Sequence, residues 1–287
     1  MIRQLRNALV MLRAGALATA PATLPAMCVS AVLAVVLGGC AGDGSAGATS
    51  GAAPASSAAV LRAGVTPNYP PLIGEVDGRF VGIEADLGAE AASGLDVRLE
   101  MVELPWEELI PALEAGEIDV IMSGMSVTAE RAERVAFTRP FMKIGQMAVV
   151  RIGDAQRLGS VDALRRASGA VGFEAGTTGE RFVRGSMRRA TPVALDSVDA
   201  GVAALRDGRI EVFVHDAPTV WRIGSSTEYE DLIGLYWTLT DERLAWAVRK
   251  SDTGLRKALN AQLGEMIADG RLETILGRWI KVRVEVK

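Results

Sequence analysis

The chain has 287 residues, 49% of them hydrophobic and 23% charged, with a formal net charge of −4. This length allows one large core or two modest lobes. Acids and bases are interspersed, which argues against a nucleic-acid partner because such partners require a basic face.

The first 39 residues have the features of an export signal. They carry three arginines and no acid, then the apolar run 27–37 and the tetrapeptide Leu37-Gly38-Gly39-Cys40. A basic start, a short apolar segment and small residues at a cleavage site are typical of a secretory signal and not of a membrane span. The ending resembles the bacterial lipobox, which implies that Cys40 carries lipid and anchors an exported protein to the cell membrane, facing the periplasm or the cell exterior. The alternative is an ordinary signal peptide with a chance cysteine.

The mature chain is predicted to have no disulfide. Cys28 lies inside the signal and Cys40 would be acylated, so no thiol remains to pair. Residues 40–58 are almost entirely small residues and proline after the cysteine, and such a segment predicts a flexible tether. No second apolar run of transmembrane length follows Cys40.

From residue 59 onward, predicted strands and helices alternate. A hairpin turn is predicted at Asp77-Gly78, and a helix stop at Gly116. In the first part, strands are predicted at 61–66, 97–103 and 120–122, and helices at 84–93 and 106–115. A long β-like run at 143–151 leaves this part of the chain. The alternation predicts parallel α/β units.

A second alternating set follows. Strands are predicted at 170–174, 192–195, 211–214, 232–237 and 243–250, and helices at 161–167, 180–187, 197–207, 255–269 and 272–279. Ligands bind outside the carboxyl ends of parallel strands. Three such ends carry polar residues, namely Ser123-Gly124, Gly176-Thr178 and His215-Asp216.

The stretch 117–141 has the strongest features of a ligand site. Gly124 permits a close backbone approach, Ser126 offers a hydroxyl, and Arg131 offers a planar fork suited to a carboxylate. On the residues alone, an ordinary surface arginine in a loop explains the pattern equally well.

Several segments, weak one by one, form a specific set in their order and spacing. They are Gly64 to Leu72, Gly82 to Leu87, Trp106 to Leu113, Gly116 to Asp119, Met125 to Arg131, Phe137 to Phe141, Gly176 to Gly179 and His215-Asp216. Over nearly all of residues 59–285 this set resembles the extracellular solute-binding proteins (family 3) of polar amino-acid ABC importers. The resemblance implies the type II periplasmic-binding-protein fold, in which two α/β lobes, each a mostly parallel sheet flanked by helices, are joined by two hinge strands. Lobe 1 would comprise residues 59–145 and 240–287, and lobe 2 residues 146–239.

The resemblance also implies the ligand site. Its residues would be Tyr69, Trp106, Ser123, Gly124, Ser126, Arg131, Glu174, Thr178, His215 and Asp216. Arg131 would bind the ligand carboxylate, helped by N–H and hydroxyl donors at Gly124, Ser126 and Thr178. Asp216 would accept the ammonium group from the other lobe, so that the ligand favours closure.

The residues that would contact the ligand side chain are less clearly determined by the sequence. Tyr69 and Trp106 match positions whose rings sandwich the ligand side chain, whereas without the resemblance core packing explains Trp106 better. Thr66 stands where binders of glutamine or basic amino acids often have Asp, and Glu174 stands where the glutamine binder has Lys. His215 could bond a polar side chain or simply be a satisfied strand-end residue. The expected ligand is a polar amino acid, uncharged or cationic.

The resemblance therefore implies a monomeric receptor that is not an enzyme and needs no cofactor or metal. Its partners would be a small polar amino acid, ABC permease subunits and, through lipid on Cys40, the membrane. One alternative is an enzyme like cyclohexadienyl dehydratase, with Glu174 or Glu180 as the proton donor. The other is a sensor or regulatory protein with the same fold.

Overall fold

The computed structural model describes residues 59–280. The predicted signal with Cys28 and the whole predicted tether with Cys40 lie outside these residues. None of the helices formed by residues 59–280 has the length and apolarity that a membrane crossing requires.

The first part of the described chain forms seven strands and three helices. The strands are β1 (Val60–Val65), β2 (Asn68–Tyr69), β3 (Ile73–Val76), β4 (Arg79–Val81), β5 (Arg98–Glu103), β6 (Val120–Ile121) and β7 (Val135–Phe137), and the helices are α1 (Ile83–Gly94), α2 (Leu109–Ala115) and α3 (Ala129–Ala132). The predicted hairpin is confirmed, because Asp77 and Gly78 adopt φ values of 50° and 72° between β3 and β4. Gly116 ends α2 in the left-handed conformation, also as predicted.

The remaining elements follow in chain order. They are β8 (Met142–Ile144), β9 (Gln146–Arg151), α4 (Ala155–Leu158), α5 (Val161–Arg165), β10 (Ala170–Glu174), α6 (Thr178–Ser186), β11 (Thr191–Leu195), α7 (Val198–Arg206), β12 (Val212–Asp216), α8 (Ala217–Ser225), β13 (Leu232–Leu235), β14 (Glu242–Leu244), β15 (Ala247–Arg249), α9 (Thr253–Ala268) and α10 (Arg271–Trp279). Four helices begin at Ser or Thr caps whose hydroxyls accept a backbone N–H, at Thr128, Ser160, Thr177 and Ser197.

Lobe 1 is built on a sheet of strand order β5-β1-β6-β15-β7. Four of its strands run in one direction and β15 runs against them. One apolar core packs α1, α9 and α10 against this sheet, and a second packs α2 against the other face. The small antiparallel sheet β2-β3-β4 belongs to the same lobe.

Lobe 2 repeats the arrangement with strand order β11-β10-β12-β9-β13. Here β9 is the strand that runs against the other four. Apolar cores on both faces bury α4 to α8. The predicted fold class, two α/β lobes with mostly parallel sheets, is confirmed.

The lobes are connected by two hinge strands, β8 and β14, which pair antiparallel with each other in a separate sheet. The prediction of single strands at 143–151 and 243–250 was wrong, since each is two strands in different sheets. Gly145 separates β8 from β9, and a Cβ at this position would collide with the backbone carbonyl of Thr240. Ala245 and Trp246, both buried, separate β14 from β15.

Candidate functional site

The carboxyl ends of the parallel strands of both lobes face one cleft. Its cavity has a volume of about 410 Å³. All ten residues predicted for the ligand site line it, namely Tyr69, Trp106, Ser123, Gly124, Ser126, Arg131, Glu174, Thr178, His215 and Asp216. The lining also includes Thr66, Asn68, Pro105, Glu107, Gln146, Ala175, Gly176, Thr177, Leu195 and Asp196. The three polar strand ends identified in the sequence, Ser123-Gly124, Gly176-Thr178 and His215-Asp216, therefore lie together in one cleft.

Arg131 lies on α3 in lobe 1 and is held by neutral partners. Its Nη1 donates to the Ser126 carbonyl at 2.9 Å and its Nη2 to the Gly176 carbonyl at 3.2 Å. The guanidinium lies over the Trp106 ring, 5.1 Å from its centroid. Among residues 59–280 no carboxylate pairs with it, and burial lowers the pKa of Arg131. The cleft therefore holds a partly desolvated cation that an anionic group would stabilise.

The loop Ser123-Gly124 is fixed by lobe 1 itself. Gly124 has φ 66°, and a Cβ there would lie 2.6 Å from the Tyr69 ring. Its N–H donates to Glu84 Oε1 at 2.7 Å, and Ser123 Oγ accepts the Thr66 N–H at 2.9 Å. The N–H of Gly124, predicted to serve the ligand carboxylate, is already engaged by Glu84.

Glu84 is a buried carboxylate on α1. Its other oxygen accepts the Trp246 indole N–H at 2.6 Å. Burial raises the pKa of Glu84 from 4.5 to about 7, against the effect of both hydrogen bonds. Since the folded-state pKa is the higher one, this group's stabilising contribution is full below pH 4.5 and is lost as the pH rises through 7.

Between pH 5 and pH 8, we expect the free energy of unfolding of the Glu84→Gln variant to rise by about 2 to 3 kcal/mol relative to that of the wild type. Gln leaves one buried donor facing an amide group, which lowers stability by a constant amount, but it does not titrate. Denaturant unfolding of both proteins at several pH values measures the difference. Parallel pH profiles would show that Glu84 does not titrate in this range.

Ser126 is also engaged, since its hydroxyl donates to Glu242 Oε2 at 2.7 Å. The second oxygen of Glu242 accepts the Thr240 hydroxyl at 2.6 Å. The hydroxyl of Ser126, expected to be a donor to the ligand, therefore keeps only its acceptor lone pairs for the cleft.

Asp216 ends β12 in lobe 2 and precedes α8. Its Oδ2 accepts the Tyr69 hydroxyl at 2.5 Å across the cleft, and its Oδ1 accepts the Gln146 amide. Burial raises the pKa of Asp216, and the pKa of Tyr69 is raised by burial and by this carboxylate. A cation entering the cleft would lower the cost of keeping Asp216 ionised.

His215 and Glu174 form a pair beside Asp216. His215 Nδ1 accepts the Asp216 N–H at 2.8 Å, so the proton of the neutral ring lies on Nε2. Nε2 is 2.7 Å from Glu174 Oε2, to which it donates. Glu174 also accepts the Asn68 amide of lobe 1 at 3.4 Å. The ring of His215 has both nitrogens occupied, which leaves Glu174 as the group of this pair that faces a ligand.

The two predicted aromatic residues border the cavity from lobe 1. The Trp106 indole donates to the Gly176 carbonyl of lobe 2 at 3.2 Å. Tyr69 packs edge-on against His215, with ring centroids 5.6 Å apart. Both rings therefore connect the lobes at the cleft. Tyr69 also belongs to the buried core of lobe 1, whereas Trp106 is only partly buried.

Thr178 is the first residue of α6, whose N-cap is Thr177. The Thr177 hydroxyl accepts the Glu180 N–H at 3.4 Å, and Glu180 accepts the Gly176 N–H at 2.8 Å. The Arg184 guanidinium lowers the pKa of Glu180. Thr177 and Thr178 at the N-terminus of α6 line the cavity, and the positive end of the helix dipole favours an anion there.

The sequence analysis missed three buried polar residues at the site, Glu84, Gln146 and Glu242. Glu84 had a detectable signal, because it shares the apolar face of α1 with Leu87 and Ala91. Gln146 likewise interrupts a run of apolar residues. Glu242 had no such signal, since its partner Ser126 is 116 residues away.

Residues 61–282, which contain all ten predicted site residues, match the bacterial extracellular solute-binding proteins, family 3. The chain is 28% identical to the putative ABC transporter arginine-binding protein 2 of Escherichia coli K12, over 79% of this chain and 93% of that protein. An ancestral arginine-binding protein bound to arginine has a TM-score of 0.72 at 28% identity, covering 78% of this chain and 99% of that one. An ancestral amino acid-binding protein, a precursor of cyclohexadienyl dehydratase, has a TM-score of 0.70 at 28% identity, covering 77% and 94%.

Proposed function

From the premise that this chain belongs to the bacterial extracellular solute-binding proteins of family 3, we propose that it is the substrate-binding component of an ABC importer and binds an amino acid between its lobes. The observation that carries this proposal is the pair of opposite charges in one cavity, Arg131 on lobe 1 and Asp216 on lobe 2. Both are desolvated, and within residues 59–280 neither forms an ion pair with an oppositely charged side chain. A zwitterionic head group would neutralise both and hold the lobes together.

The roles of the site residues follow from the free donors and acceptors. Arg131 and the N-terminus of α6, with the Thr178 hydroxyl, bind the ligand carboxylate. Asp216 accepts the ammonium group, and Ser126 supplies a second acceptor. Tyr69 and Trp106 contact the ligand side chain.

The side chain of the ligand is proposed to be cationic. Once Arg131 and Asp216 are paired with the head group, the cavity retains Glu107, Glu174 and Asp196 with no further lysine or arginine among its lining residues. This surplus of negative charge outweighs Thr66, which had argued for an uncharged ligand. The arginine-binding relatives support the same class.

Thermal unfolding of the full chain with each of the twenty amino acids, ornithine, citrulline and prephenate tests the proposal. A ligand at about a hundred times its dissociation constant adds roughly 2.7 kcal/mol and raises the melting temperature by a few degrees. A rise with arginine, lysine or ornithine supports the proposal. Silence across all amino acids, or turnover of prephenate, would overturn it.

Glu174→Gln is expected to lower the affinity for arginine about tenfold while changing that for glutamine much less. It removes the charge that faces the ligand side chain but keeps an acceptor for His215. Isothermal titration of both amino acids against wild type and variant measures the ratio. Glu230→Gln, the same change at an exposed position in lobe 2, is the control. An equal loss for both ligands would contradict the role of Glu174.

We propose a binding role without chemistry. Glu180, one candidate proton donor, has its pKa lowered by Arg184 and is therefore suited to remain ionised. Glu174, the other candidate, accepts the His215 N–H. Neither carboxyl group is in the setting of a general acid.

The remaining features of the receptor are proposals from the sequence. Cys40 carries lipid and anchors the exported chain, which acts as a monomer with its permease subunits. Lobe 1 comprises residues 59–145 and 240–287, and lobe 2 residues 146–239. The positions of β8 and β14 support this division.

A further inference from the structure

Both segments that connect the lobes, β8–β9 and β14, contain a buried polar side chain that is hydrogen-bonded to a residue of the cleft. Gln146 is 1% exposed at the start of β9, and Glu242 is 9% exposed at the start of β14. Burying a polar group costs free energy unless the group is hydrogen-bonded. Glu242 bonds the Ser126 hydroxyl of lobe 1, and Gln146 bonds the Thr178 hydroxyl and the Asp216 carboxylate of lobe 2.

On the lobe 1 side, Glu242 determines the polarity of Ser126. Both oxygens of Glu242 accept hydroxyl protons, from Ser126 and from Thr240. A hydroxyl group has a single proton, and Ser126 directs it at Glu242 Oε2. The Ser126 hydroxyl therefore presents only lone pairs to the cavity, and these suit an ammonium group.

On the lobe 2 side, Gln146 determines the polarity of Thr178. Its Nε2 donates to Asp216 Oδ1 and, at 2.9 Å, to Thr178 Oγ1. The reversed amide would direct an oxygen at the Asp216 carboxylate, so the donating nitrogen belongs on this side. Because Thr178 Oγ1 accepts from Gln146, its own proton is free to be donated to a ligand carboxylate.

The other end of the Gln146 amide supports a functional reason for this residue. Among residues 59–280 its buried Oε1 has no hydrogen-bond partner. An unsatisfied buried acceptor costs about 1 to 3 kcal/mol, which an apolar side chain of similar size would avoid. An apolar side chain would, however, lack the two hydrogen bonds that Nε2 donates to Thr178 and Asp216.

The two sides are joined through the hinge backbone. The Gln146 N–H donates to Thr240 Oγ1 at 2.8 Å, and Thr240 donates to Glu242. Hydrogen bonds from the side chain and from the backbone of Gln146 thus connect Thr178 in lobe 2, through Thr240 and Glu242, to Ser126 in lobe 1.

We propose that Gln146 and Glu242 are positioning residues that give two ligand-facing hydroxyls opposite polarity, Thr178 as a donor for the ligand carboxylate and Ser126 as an acceptor for its ammonium group. The inference rests on the proposed function, because it assigns the head-group contacts of that same site. The inference adds to the proposed function the two residues that orient these hydroxyls.

Two double-mutant cycles test the inference, with L-arginine as the probe and isothermal titration of the full chain as the measurement. One cycle combines Glu242→Gln with Ser126→Ala, and the other Gln146→Leu with Thr178→Val. Each single change is expected to weaken binding about tenfold or more, and each double variant to bind no worse than its weaker single variant. Without the hydroxyl of Ser126, Glu242 has no ligand-facing group left to orient, and without that of Thr178, Gln146 keeps only its contact with Asp216, which is already lost in the single variant Gln146→Leu. Losses that multiply, or single variants within twofold of wild type, would overturn the inference.

Gln262→Leu provides the matched control. Gln262 is a buried glutamine on α9 that packs against Gly94, away from the cavity. Thermal unfolding of the ligand-free proteins is measured alongside. If Gln146 has only a structural role, Gln146→Leu will change the melting temperature as the control does and leave arginine binding intact, which would also overturn the inference. If the wild type binds no amino acid, the proposed function fails first and the inference falls with it.

Discussion

Replacing Arg131 with alanine is expected to weaken binding of the best amino-acid ligand by about two to four orders of magnitude while leaving the fold intact. The change removes a charge-assisted, two-pronged contact and leaves the desolvated ligand carboxylate without its cationic partner, at a cost of about 3 to 5 kcal/mol. Arg131 itself pairs with no carboxylate among residues 59–280 and burial lowers its pKa, so its loss takes no ion pair from the ligand-free protein. Isothermal titration and thermal unfolding measure the two effects.

The control for this prediction lies three residues further along the chain. Arg134 is an exposed arginine paired with Glu114 at 2.5 Å, outside the cavity. Arg134→Ala should leave ligand affinity unchanged and alter stability by less than about 1 kcal/mol, as is usual for a surface pair. Binding by Arg131→Ala within a few-fold of wild type would show that the carboxylate lies elsewhere.

Much of the site could be predicted because its residues lie in short local patterns. Thr128 caps α3 and thereby places Arg131, and Gly176 to Glu180 form a capping box within five residues. Such patterns depend on neighbours in the sequence. Their gathering in one cleft follows from the rule that ligands bind at the carboxyl ends of parallel strands.

The missed parts depend on contacts between distant segments. Nothing near Gly145 in the sequence shows that the Thr240 carbonyl leaves no room for a side chain, so the hinge was predicted as continuous strands. The resemblance assigned the N–H of Gly124 to the ligand, and no local pattern indicates its partner in the structure, Glu84, which lies 40 residues earlier. Tertiary contacts of this kind decide which donors remain free, and free donors decide what a site binds.

Replacing Asp216 with asparagine is expected to change binding and stability in opposite directions. The isosteric amide loses the charge that faces the ligand ammonium, and removing one member of a buried charge pair costs about 2 to 5 kcal/mol, or roughly thirtyfold to several thousandfold in affinity. In the ligand-free protein, however, burial raises the pKa of Asp216, which means that the ionised carboxylate destabilises the fold. Asparagine carries no such cost, so the variant should unfold at a higher temperature near neutral pH.

The pH dependence distinguishes this explanation from simple repacking. The destabilisation caused by Asp216 is absent below its unfolded-state pKa and grows as the pH rises through the folded-state value, so the stability advantage of Asp216→Asn should be smallest in acid. Asp199→Asn, the same change at an exposed position on α7, should show neither effect. A variant that loses affinity but gains no stability at neutral pH would mean that Tyr69 and Gln146 already compensate the charge of Asp216. The ligand would then bind a carboxylate that the protein has stabilised beforehand, and closure would draw less of its driving force from the ammonium group.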